Sequence, residues 1–209
     1  MSKLVLYTNP QSRGAIAHWM LEELGEPYET VWLDYGGSMK SPEYLAVNPM
    51  GKVPALKDGD AVVTEAAAVC AYLADRYPDA KLAPPSGSTA RAAYYRWMFF
   101  AAGPVEQAVT CKSMKWEVPA DKGGMVGFGS YERTIDALEA ALSTGPYICG
   151  EQFTAADVYV GSAIRYGMMF GTIDERPAFV DYVARLDARP AYARTGALIA
   201  ERIAATKKG

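Results

Sequence analysis

The stretch Asn48–Ala68, NPMGKVPALKDGDAVVTEAAA, leaves this chain few ways to fold. Proline crowds the α conformation of its predecessor, so Val53-Pro54 is an extended dipeptide. Ala55–Lys57 continues as a short strand, Asp58-Gly59-Asp60 turns, and Ala61–Thr64 returns antiparallel. An Asp-Gly pair between two apolar runs is a strong hairpin signal. After Thr64 the period changes to that of a helix, with Ala66, Val69, Tyr72, Leu73 and Tyr77 on one face. Such a junction sets Glu65 beside the unpaired N–H groups of Ala66 and Ala67, donors that attract a carboxylate together with the helix dipole. On local pattern alone, an ordinary hairpin followed by a helix accounts for the same residues.

The segments before it read as strand, helix, strand. Lys3–Tyr7 (KLVLY) is a short buried strand and Thr8–Ser12 a loop. A helix runs from about Arg13 to Leu24, with Ile16, Met20, Leu24, Ala17 and Leu21 as its apolar face, and Gly25 with Pro27 ends it. Tyr28–Leu33 is the next strand, expected to lie parallel to the first because a helix connects them. A loop, Asp34–Ser41, leads to a turn of helix near Pro42–Val47.

Pro78–Ser88 (PDAKLAPPSGS) holds four residues that break regular structure, and every segment from Thr89 onward reads helical. The division this gives is an α/β unit over residues 1–79, a linker at 80–88 and an all-α unit over 89–209. Thr89–Ala102 is a strongly aromatic helix that Gly103-Pro104 interrupts, with resumption from Val105 toward Trp116. Pro119–Gly129 is a glycine-rich connection, and Tyr131, Ile135, Leu138 and Leu142 make the next stripe. Thr154-Ala155-Ala156-Asp157 is a capping box: Thr154 accepts from the backbone three residues on, and Asp157 reaches back to the N–H of the cap. The weakly charged run Val158–Met169 after it has to be buried nearly all round. Two further stripes follow, at Phe179–Leu186 and Tyr192–Ala204.

Composition narrows the function classes. A net charge of −3 supplies no chain-wide basic field for nucleic acid. The longest weakly charged stretch, Ile148–Ile173, contains Glu151, Asp157 and Arg165, which argues against a membrane span. The N-terminus lacks the long apolar core of a secretion signal. Cys70, Cys111 and Cys149 are far apart, the pattern of reduced cytosolic thiols rather than of a disulfide frame or a zinc site. The single histidine, His18, lies inside the first helix with no partner pattern, so it reads as structural, and no metal site is expected.

Four stretches, Leu4–Gly25 (LVLYTNPQSRGAIAHWMLEELG), Asn48–Pro54, Thr64–Leu73 and Phe153–Asp157, occur here in an order and spacing that resembles the cytosolic glutathione transferases over essentially the whole chain. The resemblance implies a thioredoxin-like N-terminal domain that carries the glutathione site, followed by an all-helical C-terminal domain that lines the site of the electrophile. It implies that Val53 pairs its backbone with the cysteinyl part of glutathione and that Pro54 is cis. Lys52 would sit near the glycyl carboxylate, while Glu65 and the position after it would hold the γ-glutamyl end. The family commonly has serine after that acid, and this chain has Ala66, which removes one side-chain donor. A homodimer is implied as well.

The chemistry such a site performs is thiol activation. Glutathione's thiol has a pKa of about 8.5, and only its thiolate is nucleophilic. Depressing that value by about two units requires roughly 2.7 kcal/mol, within reach of one hydroxyl or amide donor and a helix N-terminus. Ser12 stands at the helix start, as the serine of serine-type transferases does, and is the first candidate; as a favoured cap residue it has an equally good structural explanation. Asn9 comes second, then Tyr7 and Thr8. No cysteine precedes Cys70, which argues against the cysteine-type classes. Tyr94, Trp97, Met98, Phe100, Trp116, Tyr166, Met168 and Met169 are candidates for an apolar substrate wall. The function expected is conjugation of glutathione, as co-substrate, to small hydrophobic electrophiles in the cytoplasm, a detoxification chemistry. The alternatives are a catalytically weak ligand- or protein-binding protein on the same fold, and a glutathione-dependent peroxidase or reductase.

Overall fold

The computed structural model describes residues 3–206. Its contacts divide the chain into two compact units: the described residues up to Ala80 together with those from Ala188, and Lys81–Asp187. In the first unit β1 (Leu4–Thr8), α1 (Gly14–Leu24), β2 (Tyr28–Trp32), α2 (Pro42–Leu45), β3 (Ala55–Asp58), β4 (Ala61–Thr64) and α3 (Ala66–Arg76) follow one another. The sheet order is β2-β1-β3-β4, with β2 parallel to β1 and the other pairs antiparallel. This is the four-stranded mixed sheet of a thioredoxin-like domain. The parallel pair and the Asp58–Ala61 hairpin come out as the residue pattern predicts, with Gly59 at φ 60° in the turn.

Alternation along β1 builds two layers. Leu4, Leu6 and Thr8 are buried on the face that meets α1 and α3, whereas Tyr7, Val31 and Val53 pack with Leu33, Met39, Tyr44 and Ala55 on the other. Gly14 opens α1 hard against the sheet: a Cβ there would stand 1.8 Å from Thr8 Oγ1, so only glycine allows the helix to start so close. Gly25, at φ 71°, closes α1 with its N–H on Leu21 C=O at 3.1 Å.

The last helix, α9 (Pro190–Thr206), belongs to this unit by its contacts and not to the helical one that its sequence pattern suggested. Three features tie it to α1. Arg189 forks onto both oxygens of Glu23 at 2.6 and 2.7 Å, Arg194 reaches Glu22 at 2.8 Å, and the Tyr192 ring stands edge-on to Trp19.

His18 is buried to 1% exposure between α1 and β2, stacked on Trp32. Tyr28 spends its hydroxyl proton on Glu22, so the 3.2 Å contact with His18 requires a proton on Nδ1 of a neutral ring. Burial lowers the His18 pKa to about 4, against an opposing pull from Glu22. The unfolded chain binds this proton near pH 6.5 and the native state only near 4, so stability falls as pH drops through that window. A loss of about 3 kcal/mol is expected. Urea unfolding of His18→Leu should show a flatter pH dependence between about 6.5 and 4; an unchanged slope would assign the acid limb to other groups.

The second unit holds α4 (Ala90–Phe100), α5 (Glu106–Met114), α6 (Tyr131–Leu142), α7 (Ala155–Met169) and α8 (Pro177–Asp187). The interruption expected at Gly103-Pro104 is absent: Ala101–Val105 is a π-turn that carries α4 into α5 without a break. The wider turn accommodates the missing N–H and the ring of Pro104, which an α-turn does not. The glycine-rich connection contains a 3₁₀ segment, Ala120–Met125. As expected, α7 is buried along most of its length, and Gly161 lies so close to α8 that a Cβ would meet Leu186 Cδ1 at 2.2 Å.

The capping box has further partners that only folding supplies. Asp157 is 0% exposed and accepts from the N–H of Thr154 and of Ile148, both at 2.8 Å, from Thr154 Oγ1 at 3.1 Å and from the Tyr182 hydroxyl at 2.9 Å. Burial pushes its carboxyl pKa up, and these donors work against that shift.

Candidate functional site

The sheet register gathers the candidate residues. Tyr7 pairs with Ala55 and Ala55 with Thr64, so the end of β1, the beginning of β3 and the end of β4 lie side by side. The loop that carries Asn9 and Ser12, the Lys52-Val53-Pro54 segment and the Glu65-Ala66 junction therefore all leave from one end of the sheet.

The first loop is held from within. Asn9 is buried; its Nδ2 donates to Leu33 C=O at 2.7 Å and its Oδ1 accepts from Gln11 N–H at 2.9 Å. Ser12, half-buried, donates through Oγ to Asn9 C=O at 2.7 Å and accepts from Gly14 N–H at 3.0 Å. The Thr8 hydroxyl is buried beneath α1, and the ring of Tyr7 packs against Tyr44 with centroids 5.6 Å apart. Of the four candidate donors, Ser12 and Asn9 stand on the loop at the start of α1. The Ser12 proton can turn about the Cβ–Oγ bond while the oxygen keeps its bond from Gly14.

The second segment is buttressed by residues the sequence reading did not single out. The hydroxyl of Tyr44 and Nδ2 of Asn48 both donate to Lys52 C=O, at 2.5 and 2.8 Å, and Lys40 Nζ donates to Gly51 C=O at 2.7 Å. Asn48 also accepts from Met50 N–H at 3.1 Å, an Asx turn that the Asn-Pro pair could have signalled. The Val53-Pro54 peptide is cis, as the resemblance implied. The Lys52 side chain is exposed. Among the described residues, neither the N–H nor the C=O of Val53 takes a backbone partner, so both are available beside the sheet end.

At the third element Glu65 adopts φ 67° and ψ 122°, a conformation that L residues avoid at a cost of about 1–3 kcal/mol. It is exposed, and its C=O starts the α3 ladder by accepting from Val69 N–H at 2.9 Å. The N–H groups of Ala66 and Ala67 have no backbone acceptor among the described residues, and Ala66 itself is 8% exposed. Unpaired donors at a helix N-terminus, next to an exposed acid, suit a ligand with one carboxylate and one amino group.

The expected substrate wall separates into two sets. Tyr94, Trp97 and Met98 are buried and serve as core. Phe100, Tyr166 and Met168 are half-buried, while Trp116 and Met169 are exposed. Burial pushes the thiols of Cys70 and Cys149 up to about 12, which makes both poor nucleophiles. Among the described residues no helix is long and apolar enough to cross a membrane, and no cluster of metal-binding side chains occurs.

Known proteins repeat this arrangement. The family model for the glutathione S-transferase N-terminal domain matches residues 15–76, and that for the C-terminal domain matches residues 126–193. Glutathione S-transferase GstA of Escherichia coli O157:H7 is 30% identical over 164 residues, which cover 77% of this chain and 81% of that protein. A glutathione transferase from Methylococcus capsulatus is similar in structure, with a TM-score of 0.78 at 29% identity, covering 94% of this chain and 98% of that one. A family member from Pseudomonas fluorescens, solved with two glutathione bound, aligns at a TM-score of 0.76 and 26% identity over 93% of this chain and 92% of that one. With its thioredoxin-like sheet, its helical unit and both family domains in order, the chain belongs to the glutathione S-transferase family.

Proposed function

We propose that this protein is a glutathione transferase that binds glutathione along the end of the sheet, activates its thiol and conjugates it to small hydrophobic electrophiles. The observation that carries the reading is the Tyr7–Ala55–Thr64 register, which lines up the three segments a γ-glutamyl tripeptide would touch. Extended glutathione pairs its cysteinyl backbone with the free N–H and C=O of Val53. Its γ-glutamyl carboxylate takes the amides of Ala66 and Ala67, its amino group meets Glu65, and its glycyl carboxylate lies toward Lys52. The sulfur then points to the start of α1, where Ser12 donates and Asn9 holds the loop. Glutathione bound in relatives such as the Pseudomonas protein supports the same co-substrate here.

Glu65 and Lys52 are each opposite in charge to the ligand group they meet, and the thiolate gains stabilisation from the Ser12 hydroxyl and from the α1 dipole. Proximity of thiolate and electrophile supplies the remaining rate advantage. Three free thiols suit a reducing cytoplasm, and the exposed Tyr95 and Phe99 on α4 suit a homodimer contact. Calorimetry with reduced glutathione tests the binding: no heat at millimolar ligand would end the enzymatic reading and leave only the fold.

Ala66 sets the expected affinity. A serine hydroxyl there would add one hydrogen bond to the γ-glutamyl carboxylate, worth roughly 1.5–3 kcal/mol when the acceptor is charged. Ala66→Ser is expected to tighten glutathione binding by about tenfold. An unchanged dissociation constant in the same calorimeter would show that the carboxylate is held elsewhere. The missing hydroxyl, together with a Ser12 proton already donated to Asn9, also favours a second reading, a catalytically weak ligand-binding protein. Glutathione heat without turnover of a chlorodinitrobenzene-type substrate would select it.

A further inference from the structure

His18 is the one histidine of the chain, and none of its ring contacts is a residue assigned to glutathione. Its Nδ1 meets the Tyr28 hydroxyl, and its ring stacks on Trp32 with centroids 5.2 Å apart. Nε2 is buried without a hydrogen-bond partner among the described residues, so it is the atom that takes up a proton as pH falls. The imidazolium formed there, cut off from water, has to find a carboxylate or a π face close by. We propose that His18 is an acid-sensitive latch for α9: once protonated, it competes with that helix for Glu22 and Trp32 and releases the turns from Arg194 onward.

Both groups that could stabilise the new cation are already shared with α9. Glu22 accepts from the Tyr28 hydroxyl at 2.9 Å and from Arg194 Nε at 2.8 Å, and its C=O takes a further bond from Arg194 at 2.8 Å. A chain His18–Tyr28–Glu22–Arg194 thus joins the buried ring to the last helix. Trp32 makes the second link. Arg202, whose Nε is buried without a hydrogen-bond partner among the described residues, rests its guanidinium on the same indole, 5.6 Å from the centroid. The groups facing His18 are therefore Glu22 from α1, the Tyr28 hydroxyl from β2 and, through the partners they share, Arg194 and Arg202 from α9. Glu22 is the charge that acts on the ring directly; α3 and β1, also packed on α1, contribute none.

Release of α9 relieves the imidazolium in three ways: water reaches it, Glu22 is no longer drawn toward Arg194, and the face of Trp32 is no longer contested by Arg202. The start of the helix stays in place, because Arg189 keeps its fork on Glu23, a carboxylate that His18 does not touch. The sign follows from burial. The released state binds the proton near pH 6.5 and the docked state near 4, so docking is complete above pH 6.5 and weakens as pH falls toward 4. From pH 7 to pH 5 the balance between docked and released helix shifts by about twentyfold.

Hydrogen exchange of the whole protein, read by mass spectrometry and scaled to the rate of unstructured peptide at each pH, tests the latch. Peptides from residues 194–206 are expected to lose protection by about twentyfold from pH 7 to pH 5, and those from β1 and α3 by less than about threefold. In His18→Gln the extra loss over 194–206 should vanish. Coupling is reciprocal, so loosening α9 must in turn ease protonation of His18. In Arg202→Leu the pKa of His18, followed by its imidazole C–H resonance with no other histidine to overlap it, should rise by at least about half a unit. Equal loss of protection in α9 and in the sheet, or an unmoved His18 pKa in Arg202→Leu, overturns the proposal, whether or not His18→Gln folds. Glutathione enters neither measurement, so failure of the catalytic reading is told apart from failure of this one.

Discussion

Ser12→Ala should slow conjugation of glutathione to a chlorodinitrobenzene-type substrate by about ten- to a hundredfold, and lower stability by about 1 kcal/mol through the two hydrogen bonds it makes to Asn9 and Gly14. A hydrogen bond to a charged acceptor is worth roughly 1.5–3 kcal/mol, and each 1.36 kcal/mol is about tenfold in rate. The loss should be visible in the pH–rate profile before it is visible in binding. Without the hydroxyl the bound thiol titrates closer to its free value of about 8.5, so activity recovers as pH rises. Asn9→Ala is the necessary comparison. Because Asn9 ties the loop to Leu33 and to Gln11, its removal should lower the melting temperature as well as activity. Full turnover in Ser12→Ala with a folded but inactive Asn9→Ala would transfer the donor role to Asn9.

Asp157→Ala is expected to destabilise the Lys81–Asp187 unit by about 3–5 kcal/mol, through mechanisms that have nothing to do with catalysis. The carboxylate satisfies two backbone N–H groups and the Tyr182 and Thr154 hydroxyls in a fully buried setting. Truncation leaves those donors without partners, each at about 1–3 kcal/mol, and removes the cap of a helix that is itself core. Asp157→Asn retains the shape and one acceptor oxygen, so it should recover part of the loss. Thermal melts of the two variants check this: a drop of less than a few degrees in Asp157→Ala would mean that water replaces the carboxylate.

The elements around the candidate site were legible because their signals are local. A proline after valine, an Asp-Gly turn and the switch to a helical period at Glu65 all act through steric limits on neighbouring residues. The capping box could be read for the same reason, since both of its partners lie within four positions. What escaped the sequence is contact made at a distance. Tyr44 and Lys40 reach the carbonyls of Lys52 and Gly51 from eight and eleven positions away, bonds that no local pattern announces, whereas the Asn48–Lys52 bond spans only four. The π-turn at Gly103-Pro104 contradicted a strong local breaker, because the helix had enough packing on either side to carry through.

By itself, then, the sequence determined that a mixed α/β unit precedes an all-helical one, since period, turn chemistry and motif order depend on near neighbours. Tertiary structure alone decided that Ser12 spends its proton on Asn9, that Glu65 is forced to positive φ, and that α9 joins the first unit through Glu22, Glu23 and Trp19. The physical reason is that a helix's docking face is set by groups far along the chain, while a hydroxyl's choice among nearby acceptors and the strain of a junction residue are set by the folded backbone around them, which pattern and propensity do not encode.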